Sequence, residues 1–180
     1  MIAMPVLALL AALQAAGLDV QSADQHPTFS IFTQQMKVEI SARESGGAFC
    51  VLRITAPPGG GPLAHVHTRE DETYVVTRGR FRFWHGAHVI DAAPGDTVFM
   101  PRGEPHQWRN IGEEPGQTVL TIVPAGLEKF FMEVSRRKLR AVEDRNEIVR
   151  LQNAYGVHFV PSLISPSAAG RPAPRSADHR

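Results

Sequence analysis

The sequence has little cysteine and little excess charge of either sign. Its single cysteine, Cys50, excludes a disulfide framework within the chain, and its place in the apolar run AFCVLRI favours a small buried side chain over a reactive thiol. The Lys and Arg total of 19 nearly cancels the Asp and Glu total of 18. The main basic cluster, RRKLR at residues 136–140, lies in a helical pattern among acidic residues. We interpret it as a solvated helix face and expect no nucleic-acid partner.

Basic residues are also missing from the start of the chain, since no Lys or Arg precedes Lys37. Residues 1–18, MIAMPVLALLAALQAAGL, have the length of a signal peptide but not its basic n-region. Pro5 interrupts the run, which is short for a membrane span, so we expect no stable span. We assign residues 1–27 as an N-terminal apolar segment. An exported protein with a cleaved signal and a cytoplasmic protein with a packed N-terminal helix are equally compatible with it.

Residues 28–124 are a series of short strand patterns separated by turn signals rich in Gly and Pro. The patterns are FCVLRI, ETYVVT, RFRFW, DTVFM and TVLTIV. No helical pattern separates them, which favours an antiparallel sandwich or barrel over a parallel α/β sheet. No internal repeat of the strand region is present, so the sequence predicts an all-β fold with one barrel.

The hydrophobic period changes after Pro124. Apolar residues recur at helical spacing at Leu127, Phe130, Phe131 and Val134, and again at Ile148, Leu151 and Tyr155. Gly156 follows as a C-terminal cap. We predict a C-terminal helical extension over residues 125–160, with two helices on the outside of the barrel. Residues 161–180 are rich in Pro, Ser, Ala and Arg without an apolar period, which is typical of a disordered tail.

Two ordered motifs stand within the strand region. The first has the spacing G-x5-H-x-H-x4-E-x6-G, and its residues are Gly59, His65, His67, Glu72 and Gly79. The second has the spacing G-x5-P-x-G-x2-H-x3-N, and its residues are Gly95, Pro101, Gly103, His106 and Asn110. Both spacings resemble the two signature motifs of the cupin family, with every position filled. The resemblance implies a single cupin jelly-roll β-barrel, or double-stranded β-helix, at residues 28–124.

The same residues suit a metal site on chemical grounds. Alternate residues of a strand share a face, so His65 and His67 project together, roughly 7 Å apart along the strand. Glu72 comes from the next strand and His106 from the second motif. Three imidazoles and one carboxylate suit one divalent transition metal ion, with Fe, Mn, Ni, Co, Cu and Zn all compatible. Such a metal retains open positions for a substrate and dioxygen.

Three consecutive carboxylates follow the histidines, and the spacing distinguishes among them. The six-residue step to Gly79 selects Glu72 as the ligand over Asp71. We therefore expect Glu70 and Asp71 to be solvent-facing or turn residues. His85 and His88 flank Gly86 in a predicted hairpin, and we expect both to be exposed.

Aromatic residues near the motifs are candidates for a substrate pocket, although packing in the core is an equally open alternative for each. Tyr74 and Trp108 each lie two residues beyond a predicted ligand and share the face of its strand. The full candidate set is Tyr74, Phe81, Phe83, Phe99 and Trp108.

A finer resemblance extends over about residues 28–160. The strings PPGGGPLAHVHTREDETYVV, PGDTVFMPRGEPHQWRN, PAGLEKFFMEV and NAYGVHFV are similar to those of the small single-barrel cupins called quercetin 2,3-dioxygenase-like. This resemblance implies a metal-dependent dioxygenase that opens the ring of a flavonol-like or other enolic aromatic molecule, with Glu72 as the catalytic base. It also implies a homodimer, which would cover edge strands.

Other functions are compatible with the same motifs, because one fold hosts many activities. A metal-dependent isomerase, lyase or decarboxylase could use the four ligands without dioxygen. A small-molecule-binding cupin could hold the metal as a structural anchor without catalysis. A transcription factor is disfavoured because no helix-turn-helix pattern follows Pro124.

Overall fold

The structure is a computed structural model that describes residues 26–163. The predicted signal peptide or N-terminal helix of residues 1–25 lies outside the described residues. So does the predicted disordered tail from residue 164 onward. Neither described helix is long and apolar enough to cross a membrane.

The described chain consists mainly of β-strands followed by two helices. The strands are β1 (Thr28–Ile31), β2 (Gln34–Ile40), β3 (Cys50–Ala56), β4 (His65–His67), β5 (Asp71–Arg78), β6 (Phe81–His85), β7 (His88–Ala92), β8 (Thr97–Met100), β9 (His106–Asn110), β10 (Gly116–Val123) and β11 (Val157–Phe159). The helices are α1 (Glu128–Arg136) and α2 (Arg145–Ala154). All five predicted strand patterns and both predicted helices are therefore confirmed.

The strands form two antiparallel sheets that face each other as a jelly roll. One sheet has six strands in the order β1-β2-β3-β10-β5-β8, and the other has five in the order β11-β4-β9-β6-β7. Neighbours within each sheet are often distant in the sequence, as where β10 pairs with both β3 and β5. The predicted fold class, an all-β barrel with C-terminal helices, is confirmed.

The core lies between the sheets and follows the alternation of the central strands. On β3, Cys50, Leu52 and Ile54 are buried while the residues between them are more exposed. Leu120 and Ile122 of β10 are buried on the same side. Cys50 is thus a packed apolar side chain, as predicted, and burial raises the pKa of its thiol to about 12.

Gly79 closes the turn between β5 and β6 at a position that requires glycine. Its φ is +82°, a left-handed value that side chains with a Cβ disfavour. A Cβ on Gly79 would also lie 2.9 Å from the Cα of Gly116. The glycine at the end of the first motif therefore has a structural role.

The C-terminal extension differs from the prediction in two ways. Residues Val157–Phe159 form β11, which pairs with β4 and so joins the five-stranded sheet. A strand of three residues is too short to give a period of its own, so the sequence did not reveal it. The two helices, predicted on the outside of the barrel, also line a cavity together with barrel residues. Gly156, with φ of +79°, ends α2 as predicted.

Edge strands remain on both sheets of the described chain. β8 borders the six-stranded sheet and β7 borders the five-stranded sheet. β7 exposes Val89 and Ile90, and β8 exposes Phe99. The homodimer expected from the sequence stays a prediction.

Candidate metal centre

Four side chains converge between the two sheets. One ligand atom from each of His65, His67, Glu72 and His106 lies within 4.8 Å of those of the others, and all four residues are buried. Nε2 of His67 lies 3.6 Å from Oε1 of Glu72, and Nε2 of His106 lies 3.2 Å from Oε2 of Glu72. The structure thus brings together the four residues that the spacing singles out as metal ligands.

The strand register explains how distant residues meet. His65 of β4 is directly opposite His106 of β9, and His67 follows on the same face. Glu72 belongs to the other sheet, where β5 pairs it with Met100 and Ile122. Three imidazoles therefore come from the five-stranded sheet and the carboxylate from the six-stranded sheet.

The imidazoles are oriented through Nδ1. The backbone carbonyl of Leu63 lies 2.7 Å from Nδ1 of His65, and that of Glu104 lies 3.1 Å from Nδ1 of His106. A carbonyl accepts a hydrogen bond, so Nδ1 carries the proton and the lone pair of Nε2 is free. A hydrogen bond donated by the ring nitrogen that does not bind the metal usually fixes the orientation of a metal-binding histidine.

Two of the free ring nitrogens have no hydrogen-bond partner among residues 26–163. Nε2 of His67 and Nε2 of His106 are buried and make no hydrogen bond there, although Glu72 oxygens lie 3.6 and 3.2 Å away. A buried nitrogen without a partner costs stability unless something else binds it. The donor set therefore fits one divalent transition metal ion.

The electrostatics keep two of the ligands, His65 and Glu72, in the forms that metals bind. Burial, with the neighbouring His106 and His67, lowers the pKa of His65 to about 3, so this imidazole is neutral at physiological pH. Burial alone would raise the pKa of Glu72, but the His67 and His106 imidazoles beside it lower it below its ordinary value. Glu72 is therefore a carboxylate.

Glu70 lies in the turn between β4 and β5, one of its two expected positions, but its side chain is not solvent-facing. Its side chain is only 6% exposed, and Oε2 lies 3.4 Å from Nδ1 of His67. Burial alone would lower the pKa of His67, but the carboxylates of Glu72 and Glu70 raise it. The chain turns after β4, and this turn returns Glu70 towards the histidine three residues before it. In the sequence, the signal for this contact was the three-residue separation of His67 and Glu70.

Asp71 differs from its two neighbours. Its carboxylate is half-buried and accepts hydrogen bonds from the backbone and guanidinium of Arg102, with Nη2 at 2.6 Å. These bonds hold the pKa of Asp71 down at about 2. Asp71 is outside the four-residue cluster, in agreement with the selection of Glu72 by spacing.

A mainly apolar cavity of about 420 Å³ opens onto the cluster. His65, His67 and Glu72 contribute to its lining, with Tyr74 and Trp108 beside them. The barrel adds the apolar side chains Met36, Ile54 and Leu120, and the helices add Leu127, Phe130 and Ile148. The volume is within the range of about 300–1,000 Å³ that is typical of small-molecule sites.

The five aromatic candidates are divided by the structure. Tyr74 and Trp108 line the cavity, and the Trp108 indole donates a hydrogen bond to the Tyr74 hydroxyl at 3.3 Å. Phe81 and Phe83 are fully buried in the core and do not line the cavity. Phe99 is 57% exposed because Val98 and Met100 take the inner face of β8. Phe81 and Phe83 thus take the core position that was the open alternative to the pocket, and Phe99 takes neither position.

The hairpin histidines also differ from each other. His88 is exposed, as predicted. His85 is partly buried because it pairs with His106 across β6 and β9. It is not one of the four clustered residues.

Sequence reasoning missed the polar side chains on the far strands and helices of the cavity. Gln34 begins β2 and Gln152 lies in the last turn of α2, and both are buried and line the cavity. No spacing relates either residue to the two motifs. Only the folded arrangement reveals them.

Comparison with known proteins agrees with this geometry. The cupin domain family model matches residues 52–123. Among curated proteins, quercetin 2,3-dioxygenase of Bacillus subtilis is 26% identical over 98 residues, covering 54% of this chain and 29% of that protein. A protein of Methanocaldococcus jannaschii is 32% identical over 59 residues, covering 33% of this chain and 47% of that protein. The chain thus spans less than half the length of either relative.

Solved structures share the fold. KdgF from Halomonas sp. superposes with a TM-score of 0.55 at 17% identity, covering 62% of this chain and 99% of that chain. A predicted oxalate decarboxylase from Thermotoga maritima superposes with a TM-score of 0.52 at 23% identity, covering 59% and 99%. At these identities the likeness shows the fold alone. Residues 52–123 therefore carry a cupin domain, and the two-sheet jelly roll and the filled signature motifs agree with that match.

Proposed function

We propose that this protein is a metal-dependent, dioxygenase-like oxidoreductase that acts on a flavonol-like or other enolic aromatic small molecule. The observation that carries the proposal is the position of the His65, His67, Glu72 and His106 cluster at the wall of a mainly apolar cavity of about 420 Å³. A purely structural metal would need no such cavity beside it. The apolar cavity suits the aromatic rings of such a substrate, and a metal held by the cluster suits its acidic oxygen.

His65, His67, Glu72 and His106 would hold the metal ion. When bound, a divalent transition metal supplies positive charge that stabilises a developing enolate and electronic coupling to dioxygen. The buried positions of these four side chains restrict the access of water to the metal position.

Glu72 is the base in this proposal. Its carboxylate form can accept the proton of an enolic hydroxyl. The Tyr74 hydroxyl donates a hydrogen bond to Oε2 of Glu72 at 2.9 Å. Burial and the neighbouring Glu72 carboxylate raise the pKa of Tyr74, so the phenol stays protonated and keeps donating. The Tyr74 and Trp108 contacts thus fix the orientation of the base.

The apolar wall would position the substrate and displace water from it. Leu127 just before α1, Phe130 of α1 and Ile148 of α2 are buried and line the cavity. Burial of an aromatic body against them is favourable by about 25 cal/mol per Å² of apolar area. The similarity to quercetin 2,3-dioxygenase of Bacillus subtilis supports an oxygenase reaction, in which both atoms of dioxygen enter the organic product.

An oxygen electrode tests the proposal with metal-loaded protein and a panel of flavonols and other enolic aromatics. We expect dioxygen uptake in proportion to substrate loss, and we expect Glu72→Gln to abolish it while the circular dichroism spectrum is retained. Asp71→Asn is the matched control, because Asp71 contacts Arg102 and not the cluster. This variant should keep its activity.

The same experiment separates the alternatives. Turnover that continues without dioxygen would replace the oxygenase with an isomerase, lyase or decarboxylase. Stoichiometric metal without any turnover would indicate a binding protein.

A further inference from the structure

One wall of the cavity is built outside the part of the chain that the cupin family model matches. That match ends at residue 123, whereas α2 begins at Arg145. Arg145, Ile148 and Gln152 of α2 all line the cavity. Their spacing of three and four residues places them on one face of the helix. The helical extension therefore contributes a distinct set of contacts to a ligand.

Gln152 is the unusual member of this face. Its side chain is 8% exposed, and Oε1 is buried without a hydrogen-bond partner among residues 26–163. Buried amide oxygens in proteins are nearly always paired, since an unpaired one destabilises the fold. The neighbouring lining residues are mostly apolar and give it no partner.

Two polar groups of the cavity nearer the cluster already have partners. The Tyr74 hydroxyl donates to Glu72, and Nδ1 of His65 contacts the Leu63 carbonyl. Gln152 is thus available for a ligand. In small-molecule sites, a few polar groups in an apolar lining fix the orientation of the ligand.

We infer that Gln152 hydrogen-bonds a second hydroxyl group of the substrate, so that the helical wall selects polyhydroxylated aromatics over those with the enolic hydroxyl alone. The inference rests on the proposed function, in which the enolic oxygen lies at the metal cluster. A hydroxyl can both donate and accept, so it matches the side-chain amide in either of its two orientations. A ligand without this hydroxyl would leave the amide unpaired and bind more weakly.

Two flavonols provide the probes, measured by quenching of tryptophan fluorescence with metal-loaded protein under anaerobic conditions. Quercetin has additional ring hydroxyls, whereas unsubstituted flavonol has only the enolic one. Trp108 lines the cavity and reports binding. We expect the wild-type protein to bind quercetin about threefold to tenfold more tightly than unsubstituted flavonol, the range given by one neutral hydrogen bond.

Gln152→Leu removes the amide and keeps the approximate size of the side chain. We expect it to bind the two flavonols equally and to melt at the same or a higher temperature, since an unpaired buried amide is replaced by an apolar group. The matched control is Asn153→Ala, on the next residue of α2, which is exposed and contacts His158. This control should keep the wild-type preference.

The outcomes separate the inference from the proposed function. If both flavonols bind and Gln152→Leu keeps the wild-type preference, the role of Gln152 is overturned while the proposed function stands. If Gln152→Leu melts at a markedly lower temperature and keeps the preference, Gln152 is a structural residue. If neither flavonol binds to wild-type protein, both the proposed function and the inference fail.

Discussion

The carboxylate of Glu70 provides a sensitive test of the candidate metal centre. Glu70 does not belong to the cluster but lies behind His67, with Oε2 at 3.4 Å from Nδ1. Its negative charge increases the basicity of the ring and fixes its orientation. Glu70→Gln removes the charge while an amide oxygen remains to accept the hydrogen bond. The variant therefore isolates the electrostatic part of the contact.

The expected effect is a loss of metal affinity. Residues that support a metal-binding histidine typically contribute about tenfold to a hundredfold to affinity. The 3.4 Å separation is longer than an ordinary charge-assisted hydrogen bond, and the amide retains an acceptor, so we expect the lower end. A tenfold weaker Kd corresponds to about 1.4 kcal/mol.

Competition against a chromophoric chelator measures this change with Zn²⁺. Asp71→Asn is the control, because it removes a charge from the next residue while the ligand set is unchanged. Its Kd should stay within about twofold of wild type, since partly exposed ion pairs are weak and screened. The melting temperature of the metal-free proteins verifies that each variant folds. The reasoning is refuted if Glu70→Gln binds Zn²⁺ as tightly as wild type, or if Asp71→Asn loses as much affinity.

Two further predictions concern stability. Phe83→Ala should reduce the free energy of unfolding by about 3–5 kcal/mol, because it opens a cavity in the core. Phe99→Ala should change the free energy of unfolding by less than about 0.5 kcal/mol, because this side chain is mostly exposed. Urea denaturation measures both variants, and equal effects would contradict the buried position of Phe83 and the exposed position of Phe99. Removal of metal by a chelator should lower the melting temperature, since metal at a hundred times its Kd stabilises the folded state by about 2.7 kcal/mol. An unchanged melting temperature in calorimetry after chelation would contradict a metal bound by His67 and His106.

The sequence was informative where a short-range period or a fixed spacing determines the structure. Tyr74 and Trp108 could be placed beside the ligands because each follows a ligand by two residues on the same strand. Phe99 could not be placed, since its neighbours on β8 are also apolar and alternation does not show which face is inward. The pairing of β8 with β5 decides which face of β8 is inward, and this pairing depends on residues that are distant in the sequence.

The same reason explains the other differences. The burial of Glu70 depends on a turn that no spacing specifies, and β11 depends on its pairing with β4. Gln152 reaches the cavity only because α2 folds back over the barrel. The two motifs therefore predict the cluster, while the residues around it are determined by tertiary packing.

Metal content is the most direct test of the central claim that His65, His67, Glu72 and His106 form one metal site. The protein would be purified under native conditions without chelators, and its metal would be measured by inductively coupled plasma mass spectrometry alongside His106→Ala. The account predicts about one divalent transition metal ion per wild-type chain and a large loss in the variant. Wild-type protein without stoichiometric metal, or a variant with unchanged metal content, would contradict it.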